Sequence, residues 1–445
     1  MVMNNQAYPV LGIGFGPANL SLAVALQEFG SLDRAHFIER SPGFQWQDEQ
    51  LLSGADIQNN PFRDLVMPRN QDSPHTFVKY LASRGALTDY LHLNAKFPLR
   101  REYAGYLAWV ADAFAASVDY GQSAAELSLV DGADGAELFS VETREGRRYL
   151  GEALIVGTGR SPRIPHQFLG STGKTVFHST RYLSSINALR HRDIRVAVVG
   201  ASQSAIEIVL DLLERPNVRQ VISIQRGIGF RLKDTSPYSR QVFLPDFVDY
   251  FHPLPAETRR RLRAELHSIN YAACDQDVID RLVGTQREYE LTGSARLRLQ
   301  PFTEITGLDT APRGGPHRLS VRDVNHLTQD TVDADVIVLA TGFKDFGTGP
   351  DDEPYHPLLE GVAHRLPLDG DGIPVVGRDY AIELKASTPR PLKVYLNGLC
   401  EASHGMGDAG ALAMLSVRAS DISRSLLSLR DTRASRRRPA AQALR

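Results

Sequence analysis

The sequence predicts an α/β protein with two parallel-sheet domains, because the order strand, glycine turn, helix and second strand occurs twice. The two units end in side chains of opposite charge, which indicates two different ligands. A chain of 445 residues is also long enough to form two or three domains. We therefore predict two Rossmann-like, dinucleotide-binding domains with a small substrate-binding region between them.

The first unit opens with the apolar run Tyr8–Ile13, which ends in a glycine turn and continues as an apolar-periodic helix. Gly14 allows the sharp turn, and Gly16 allows a pyrophosphate to approach the helix N-terminus. A second strand, 35–38, leads to Glu39, whose carboxylate can accept hydrogen bonds from a ribose. The candidate cofactor contacts of this unit are Gly12, Gly14, Gly16, Pro17, Asn19, Glu39 and Arg40.

The second unit begins with the strand Arg195–Val199, followed by a turn from Gly200 and another apolar-periodic helix. The next strand, Val221–Gln225, runs into Arg226, where the first unit has an acid. A guanidinium at this position favours a 2′-phosphate, because it supplies charge and paired donors. The opposite charges predict one site for FAD and one for NADPH. The candidate contacts of the second unit are Gly200, Ser202, Gln203, Ser204 and Arg226.

Two further apolar strands, Ala153–Val156 and Asp335–Leu339, end in related turns that lie near a cofactor or cross between domains. Thr341 and Gly342 of the second turn are additional candidate cofactor contacts. We take these turns as the borders of an inserted NADPH domain. The predicted limits are 1–165 for the first part of the FAD domain, with a substrate-side segment at 44–100, 166–335 for the NADPH domain, 336–430 for the second part of the FAD and substrate domain, and 431–445 for a flexible basic tail.

Composition argues against several other classes of function. The formal net charge is −2 with acidic and basic residues mixed, so we expect neither nucleic acid nor membrane as a partner. No apolar run reaches about eighteen residues and no signal peptide is evident, which predicts a cytoplasmic protein. The two cysteines, Cys274 and Cys400, form neither a redox pair nor a metal motif, and no metal site is predicted. Molecular oxygen is then the expected electron acceptor.

Ordered motifs along the chain resemble those of the N-hydroxylating flavin monooxygenases, the family of L-ornithine N5- and L-lysine N6-monooxygenases. The resemblance extends from about Val10 to about Ile422. The matching motifs are Gly14-Phe15-Gly16-Pro17-Ala18-Asn19-Leu20, Phe37-Ile38-Glu39-Arg40, Phe44-Gln45-Trp46, Asp64-Leu65, Arg69-Asn70, Thr76-Phe77, Gln203-Ser204-Ala205 with Glu207, Asn270-Tyr271, Ala340-Thr341-Gly342-Phe343 and His404-Gly405.

This resemblance implies a flavin reaction in which NADPH reduces FAD, O2 reacts with the reduced flavin, and an unprotonated amine takes one oxygen atom. It implies two catalytic candidates: Gln58 beside the flavin, and Asn270 facing substrate or nicotinamide. It also places Trp46 near the flavin ring and Tyr271 on NADPH, although composition alone favours a plain core role for Trp46. The partners are a small amino acid and O2, and a homo-oligomer, dimer or tetramer, is expected.

Two departures from the family pattern concern the substrate. Arg63 replaces the lysine that holds the carboxylate in ornithine enzymes, and Arg240 replaces their ornithine-binding asparagine. A guanidinium at the distal end of the pocket repels a side-chain ammonium but pairs with a second carboxylate. With Asn270 as the third candidate substrate contact, we hypothesise a dicarboxylic amino acid, most simply L-aspartate, oxidised to N-hydroxyaspartate or onward to nitrosuccinate. Alternatively, Arg240 faces solvent or an NADP phosphate, and the substrate is the ornithine or lysine of siderophore biosynthesis.

Two other interpretations share both nucleotide units. A Baeyer–Villiger or sulfur-oxidising monooxygenase would carry a signature between the units, but Phe168, Gly170 and His178 have the wrong spacing for it. A redox-sensing flavoprotein without catalysis would not require the substrate-side matches at Gln58 and Asn270.

Overall fold

The structure is a computed structural model that describes residues 3–93, 95–133, 135–310, 315–385 and 392–436. Its strands are β1 (Met3–Tyr8), β2 (Val10–Ile13), β3 (Ala35–Glu39), β4 (Val118–Tyr120), β5 (Ala124–Asp131), β6 (Glu137–Thr143), β7 (Arg148–Gly151), β8 (Leu154–Val156), β9 (Val176–His178), β10 (Ile194–Val199), β11 (Val218–Ile224), β12 (Leu297–Gln300), β13 (Thr303–Asp309), β14 (His317–Asp323), β15 (Gln329–Ala334), β16 (Val336–Leu339), β17 (Ala381–Glu383) and β18 (Lys393–Leu396). Its α-helices are α1 (Pro17–Glu28), α2 (Phe77–Ser83), α3 (Leu87–His92), α4 (Arg100–Asp112), α5 (Tyr182–Ala188), α6 (Gln203–Glu214), α7 (Pro245–Phe251), α8 (Ala256–Glu265), α9 (Gln276–Thr292), α10 (Glu401–His404) and α11 (Leu415–Arg436).

A six-stranded sheet contains the first predicted unit, in the order β17-β18-β8-β2-β3-β4. Strands β2 and β3 are adjacent and parallel, and α1 connects them. Apolar side chains of β2 and β3, such as Leu11 and Phe37, are fully buried in the largest core. The strand–turn–helix–strand order at the N-terminus therefore folds as a βαβ unit.

A five-stranded parallel sheet contains the second predicted unit, in the order β12-β11-β10-β16-β9. Helix α6 crosses from β10 to β11 and packs buried residues such as Ile206 against this sheet. The two sheets confirm the predicted α/β class with two Rossmann-like units. Strand β16 pairs with β10, so this sheet extends beyond the domain limit predicted at 335.

Two smaller sheets accompany the large ones. Strands β1-β7-β6-β5 form a four-stranded sheet, and β13-β14-β15 form an antiparallel three-stranded sheet. The latter lies within the second unit, and its buried residues Leu319 and Val321 share a core with Ile337 of β16.

The chain passes between the two large sheets twice, after β8 and after β16. The two crossing segments pair with each other: the Arg163 amide donates to the Gly342 carbonyl at 2.9 Å, and the Lys344 amide to the Ser161 carbonyl at 2.8 Å. Thr341 adds a side-chain bond to the Arg163 carbonyl at 2.5 Å. These bonds hold the segment that follows β8 against the segment that follows β16, where the chain passes between the two nucleotide units.

Helix α11 continues to Arg436, so the first residues of the predicted tail at 431–445 are helical. Residues 437–445 lie outside the described part of the chain. None of the helices in the described ranges is both long and apolar enough to cross a membrane.

Candidate active site

One cleft of about 1870 Å³ is lined by residues of both nucleotide units. Helix α1 begins on it at Gly16 and Pro17, and helix α6 begins on it at Ser202 and Gln203. The first backbone N–H groups of a helix have no partner within the helix and attract anions. Two helix N-termini on one cleft can therefore hold the phosphates of two nucleotides.

Glycine is required at the turn before each of these helices. Gly14 has φ +83°, and a Cβ there would lie 2.8 Å from the Gly157 carbonyl oxygen. Gly200 has φ +141°, and a Cβ there would lie 2.3 Å from the carbonyl oxygen of Ala340. Any side chain would thus meet both backbone strain and a backbone atom that cannot move aside.

The cleft brings together most of the predicted site residues. Those that line it are Gly16, Pro17, Glu39, Arg40, Trp46, Gln58, Arg63, Gly200, Ser202, Gln203, Ser204, Arg226, Arg240, Asn270, Tyr271, Thr341 and Gly342. Among them Trp46 is half-buried, and its ring meets that of Tyr103 edge-on at 5.8 Å, so it joins the cleft to the core.

Three predicted cofactor contacts, Gly12, Gly14 and Asn19, do not line the cleft. A Cβ at Gly12 would lie 2.2 Å from the Phe37 ring, so this glycine makes room for a core aromatic. Asn19 is fully buried, and its Nδ2 donates to the carbonyls of Ile13 at 3.2 Å and Gly14 at 2.6 Å. These three residues therefore support the turn on its core-facing side, whereas Gly16 and Pro17 line the cleft.

Glu39 has a second role besides its position on the cleft. Its carboxylate accepts hydrogen bonds from the backbone amides of Phe15 at 2.8 Å and Ser41 at 2.9 Å. A charged acceptor makes stronger bonds of this kind than a neutral one. Glu39 thereby fastens the glycine turn to the end of β3.

Replacing Arg226 by alanine is expected to raise the apparent KM for NADPH roughly tenfold or more, with little effect on that for NADH. The residue is exposed on the cleft beyond β11, where its guanidinium can pair with a 2′-phosphate. Steady-state rates with each nucleotide test this. Equal changes in both KM values would contradict a role in selecting NADPH.

Arg63 and Arg240 form a cationic pair at the cleft. Burial lowers the pKa of Arg63, and the nearby positive charge of Arg240 lowers it further. Within the described residues, no carboxylate lies at ion-pair distance from either guanidinium. Two neighbouring positive charges without a carboxylate partner attract anions, so this pair is suited to an anionic ligand.

Tyr271 and Glu401 form a hydrogen-bonded pair in the wall of the cleft, beside the predicted residue Asn270. The Tyr271 hydroxyl donates to Glu401 Oε2 at 2.5 Å. Arg160 lies 3.8 Å from the Glu401 carboxylate and forms a closer ion pair with Asp345, at 2.9 Å. Burial raises the pKa of Glu401 to about 7, and the positive charge of Arg160 opposes this shift. Sequence analysis missed Glu401, although its position three residues before the His404-Gly405 motif was a usable indication.

Glu401→Gln is expected to flatten the dependence of stability on pH between about 4.5 and 7. The pKa of Glu401 in the folded protein is about 7, above its ordinary value of 4.5. As pH rises through this window, the unfolded chain loses the proton first, so ionisation favours unfolding. The Tm of the wild type should therefore fall relative to that of the variant. A Tm difference that stays constant across the window would contradict this expectation.

Comparisons with known proteins agree with this geometry. The sequence matches the family model for L-lysine 6-monooxygenase/L-ornithine 5-monooxygenase over residues 6–345. An L-ornithine N(5)-monooxygenase of Burkholderia cepacia is 34% identical over 422 residues, which cover 91% of each chain. The reduced form of ornithine hydroxylase from Pseudomonas aeruginosa has a TM-score of 0.85 at 31% identity, covering 95% of this chain and 100% of that one. An ornithine N-hydroxylase from Kutzneria sp., whose structure contains reduced FAD, NADP⁺ and L-ornithine, also has a TM-score of 0.85, at 30% identity and with 96% and 100% coverage. With most of its length matched in sequence and in fold, this chain belongs to the L-lysine 6-monooxygenase/L-ornithine 5-monooxygenase family.

Proposed function

We propose that this chain hydroxylates the primary amine of a small amino acid, using FAD, NADPH and O2. The observation that carries the proposal is one cleft on which two helix N-termini and a cationic pair meet. When bound, FAD supplies the activation of O2 and NADPH supplies the reducing equivalents. The protein contributes binding, orientation and exclusion of water.

The residues present fit two dinucleotides. The N-terminus of α1, where Gly16 and Pro17 line the cleft, would face the pyrophosphate of FAD, and Glu39 would hold its ribose. Ser202 at α6 would face the pyrophosphate of NADPH, with Arg226 on its 2′-phosphate. The buried Nε2 of Gln58 has no protein partner among the described residues, and this donor is available to a bound molecule.

The cationic pair also favours the reactive form of the substrate. An amine can act as a nucleophile only when it is unprotonated, and a nearby positive charge lowers the pKa of an ammonium group. The positive charge of Arg240 acts on Arg63, and both side chains line the cleft, so a substrate bound beside them would experience both charges. The arginines disfavour protonation of the amine to the extent that the bound carboxylates leave their positive charge uncompensated.

The charge of this pair supports a dicarboxylic amino acid, such as L-aspartate, as the substrate. Each guanidinium can hold one carboxylate through two parallel hydrogen bonds. The α-amine would then be the atom that is oxidised, giving N-hydroxyaspartate and, after further oxidation, nitrosuccinate. This assignment rests on Arg63 and Arg240 alone, since none of the relatives described above is an aspartate enzyme by name.

The relatives favour a second candidate, L-ornithine or L-lysine. The family model carries both of these activities in its name, and the matched protein of Burkholderia cepacia is an ornithine enzyme. On this alternative Arg63 holds the α-carboxylate and Asn270 also contacts the substrate. Arg240 then faces solvent or an NADP phosphate. The product would be a hydroxylamine on the side-chain nitrogen.

One assay separates the two candidates. Purified enzyme with FAD and NADPH is given L-aspartate, L-glutamate, L-ornithine, L-lysine and small diamines in turn, and the hydroxylamine or nitro product is quantified together with NADPH loss. Product must be measured because NADPH can also be oxidised without hydroxylation. Product from ornithine with none from aspartate would overturn the dicarboxylate assignment and leave the reaction class intact. Absence of product from all primary amines would contradict the proposed function itself.

A further inference from the structure

Lys233 is a charged residue of the cleft that the reaction described above does not use. It follows β11 in the second nucleotide unit, and its side chain is 13% exposed. Its ammonium donates a hydrogen bond to Gln58 Oε1 at 2.7 Å, across 175 positions of sequence. Lys233 therefore connects the second unit to the substrate-side segment.

We propose that Lys233 is a positioning residue, which orients the Gln58 side-chain amide so that its Nε2 donates into the cleft. A lysine ammonium has three donors and no acceptor, so the amide atom that faces it must be the oxygen. The nitrogen then has to point the other way. That Nε2 is buried and has no hydrogen-bond partner among the described residues.

The surroundings allow only this orientation. The Gln58 backbone is left-handed, with φ 53°. Its backbone N–H donates to Asp56 Oδ1 at 2.8 Å, and this bond fixes the position from which the side chain extends. Strained backbone of this kind persists where the surrounding structure holds it in place, often at functional sites. An amide flipped by a half-turn would direct its NH2 group at an ammonium, leaving two donors in contact.

The charges around Lys233 keep its ammonium at this place. Asp275 Oδ1 lies 3.9 Å from Nζ, and Asp56 is a second nearby carboxylate. Burial lowers the pKa of Lys233, Asp275 and Asp56 raise it, and Arg240 lowers it again. The ammonium is therefore a largely buried donor with partial charge compensation, and the charge of Arg240, one member of the cationic pair, acts on it.

Because Nε2 has no acceptor among the described residues, we expect a bound molecule with an oxygen or nitrogen acceptor to supply one. On the proposed function, this is either a polar atom of the flavin ring or a carboxylate of the substrate. Both have the same hydrogen-bonding chemistry, and binding measurements distinguish them. The inference rests on the proposed function for the identity of these two molecules only.

The test is a double-mutant cycle with Lys233→Met and Gln58→Met, together with Lys233→Arg, which retains a group with donors only. Lys174→Met, an exposed lysine of the same unit, is the matched control. FAD affinity is measured by fluorescence titration of the apoprotein, the flavin absorption spectrum is recorded without substrate, and substrate KM and product per NADPH are measured with the holoenzyme. Thermal unfolding identifies any variant that fails to fold.

Loss of a single hydrogen bond of this type corresponds to roughly threefold to tenfold in affinity. If Nε2 serves the flavin, Lys233→Met weakens FAD binding by this factor and shifts the spectrum; if it serves the substrate, only the substrate KM and the product yield change. In either case, adding Gln58→Met to Lys233→Met changes the affected quantity little further. The Lys233→Arg variant keeps most of the wild-type affinity, KM and product yield. Additive effects of the two substitutions, or a folded Lys233→Met variant with unchanged FAD affinity, KM and yield, would overturn the proposal. Failure of the proposed function is a different result, in which the wild type itself binds no FAD or forms no hydroxylated amine.

Discussion

Replacing Arg100 by methionine is expected to destabilise the fold by about 3–5 kcal/mol, because the change leaves Glu207 as a buried carboxylate without a cationic partner. The two side chains form a bidentate ion pair, with bonds of 2.9 Å and 3.0 Å, and are only 9% and 5% exposed. Arg100 NH1 also donates to the Gln50 carbonyl at 2.7 Å. The pair joins the start of α4, on the substrate side, to α6 in the second nucleotide unit.

Denaturant or thermal unfolding of Arg100→Met measures this effect. Arg101→Met is the matched control, since Arg101 is exposed on the same helix and, among the described residues, its side chain donates only to the Leu51 carbonyl. We expect the control to change stability by less than about 1 kcal/mol. The double variant Arg100→Met/Glu207→Met should be more stable than the sum of its single changes predicts. A loss in Arg100→Met no larger than in the control would show that the pair contributes little.

The elements that the sequence predicted correctly are those with a local pattern. Helices α1 and α6 follow from apolar residues at helical spacing after a glycine turn, and the strands before them from short apolar runs. The five-residue run ending at Leu339 also predicts a strand, and β16 forms there. Its sheet was not predictable, because a buried strand has the same composition in either of two parallel sheets.

The residues that sequence analysis missed depend on contacts between distant segments. Arg100 and Glu207 are 107 positions apart, and Lys233 meets Gln58 across 175 positions. Charged residues are usually solvated, so nothing local marks these as buried. Glu207 was noticed only as part of a family motif, without a role for its carboxylate.

The glycine motif shows what a local pattern can leave undetermined. Its spacing correctly predicted a tight turn before a helix, and Gly16 does line the cleft. The spacing does not reveal which side of the turn each residue faces, and Gly12 and Asn19 face the core. A motif thus specifies a backbone shape, and only part of its residues can contact the ligand.

On the dicarboxylate assignment proposed above, Arg240→Asn is expected to lower kcat/KM for L-aspartate roughly 10- to 100-fold and to improve the relative use of L-ornithine. On that assignment the variant would lose one charge-assisted pairing with a carboxylate, a change of about 1.5–3 kcal/mol. It also removes a positive charge that acts on both Arg63 and Lys233, and such a charge disfavours a cationic side chain in the pocket. Product formation with each amino acid at saturating NADPH measures the shift.

The matched control is Arg226→Asn, which removes an arginine from the nucleotide side of the same cleft. It should alter the KM for NADPH and leave the preference between amino acids unchanged. If Arg240→Asn leaves the preference unchanged as well, Arg240 is outside the substrate pocket and the diamino-acid candidate gains support. If the preference moves toward ornithine only in Arg240→Asn, one guanidinium accounts for much of the difference between a dicarboxylate and a diamine enzyme. The reason is that this positive charge strengthens the binding of a substrate with a second carboxylate and weakens the binding of a substrate with a side-chain ammonium.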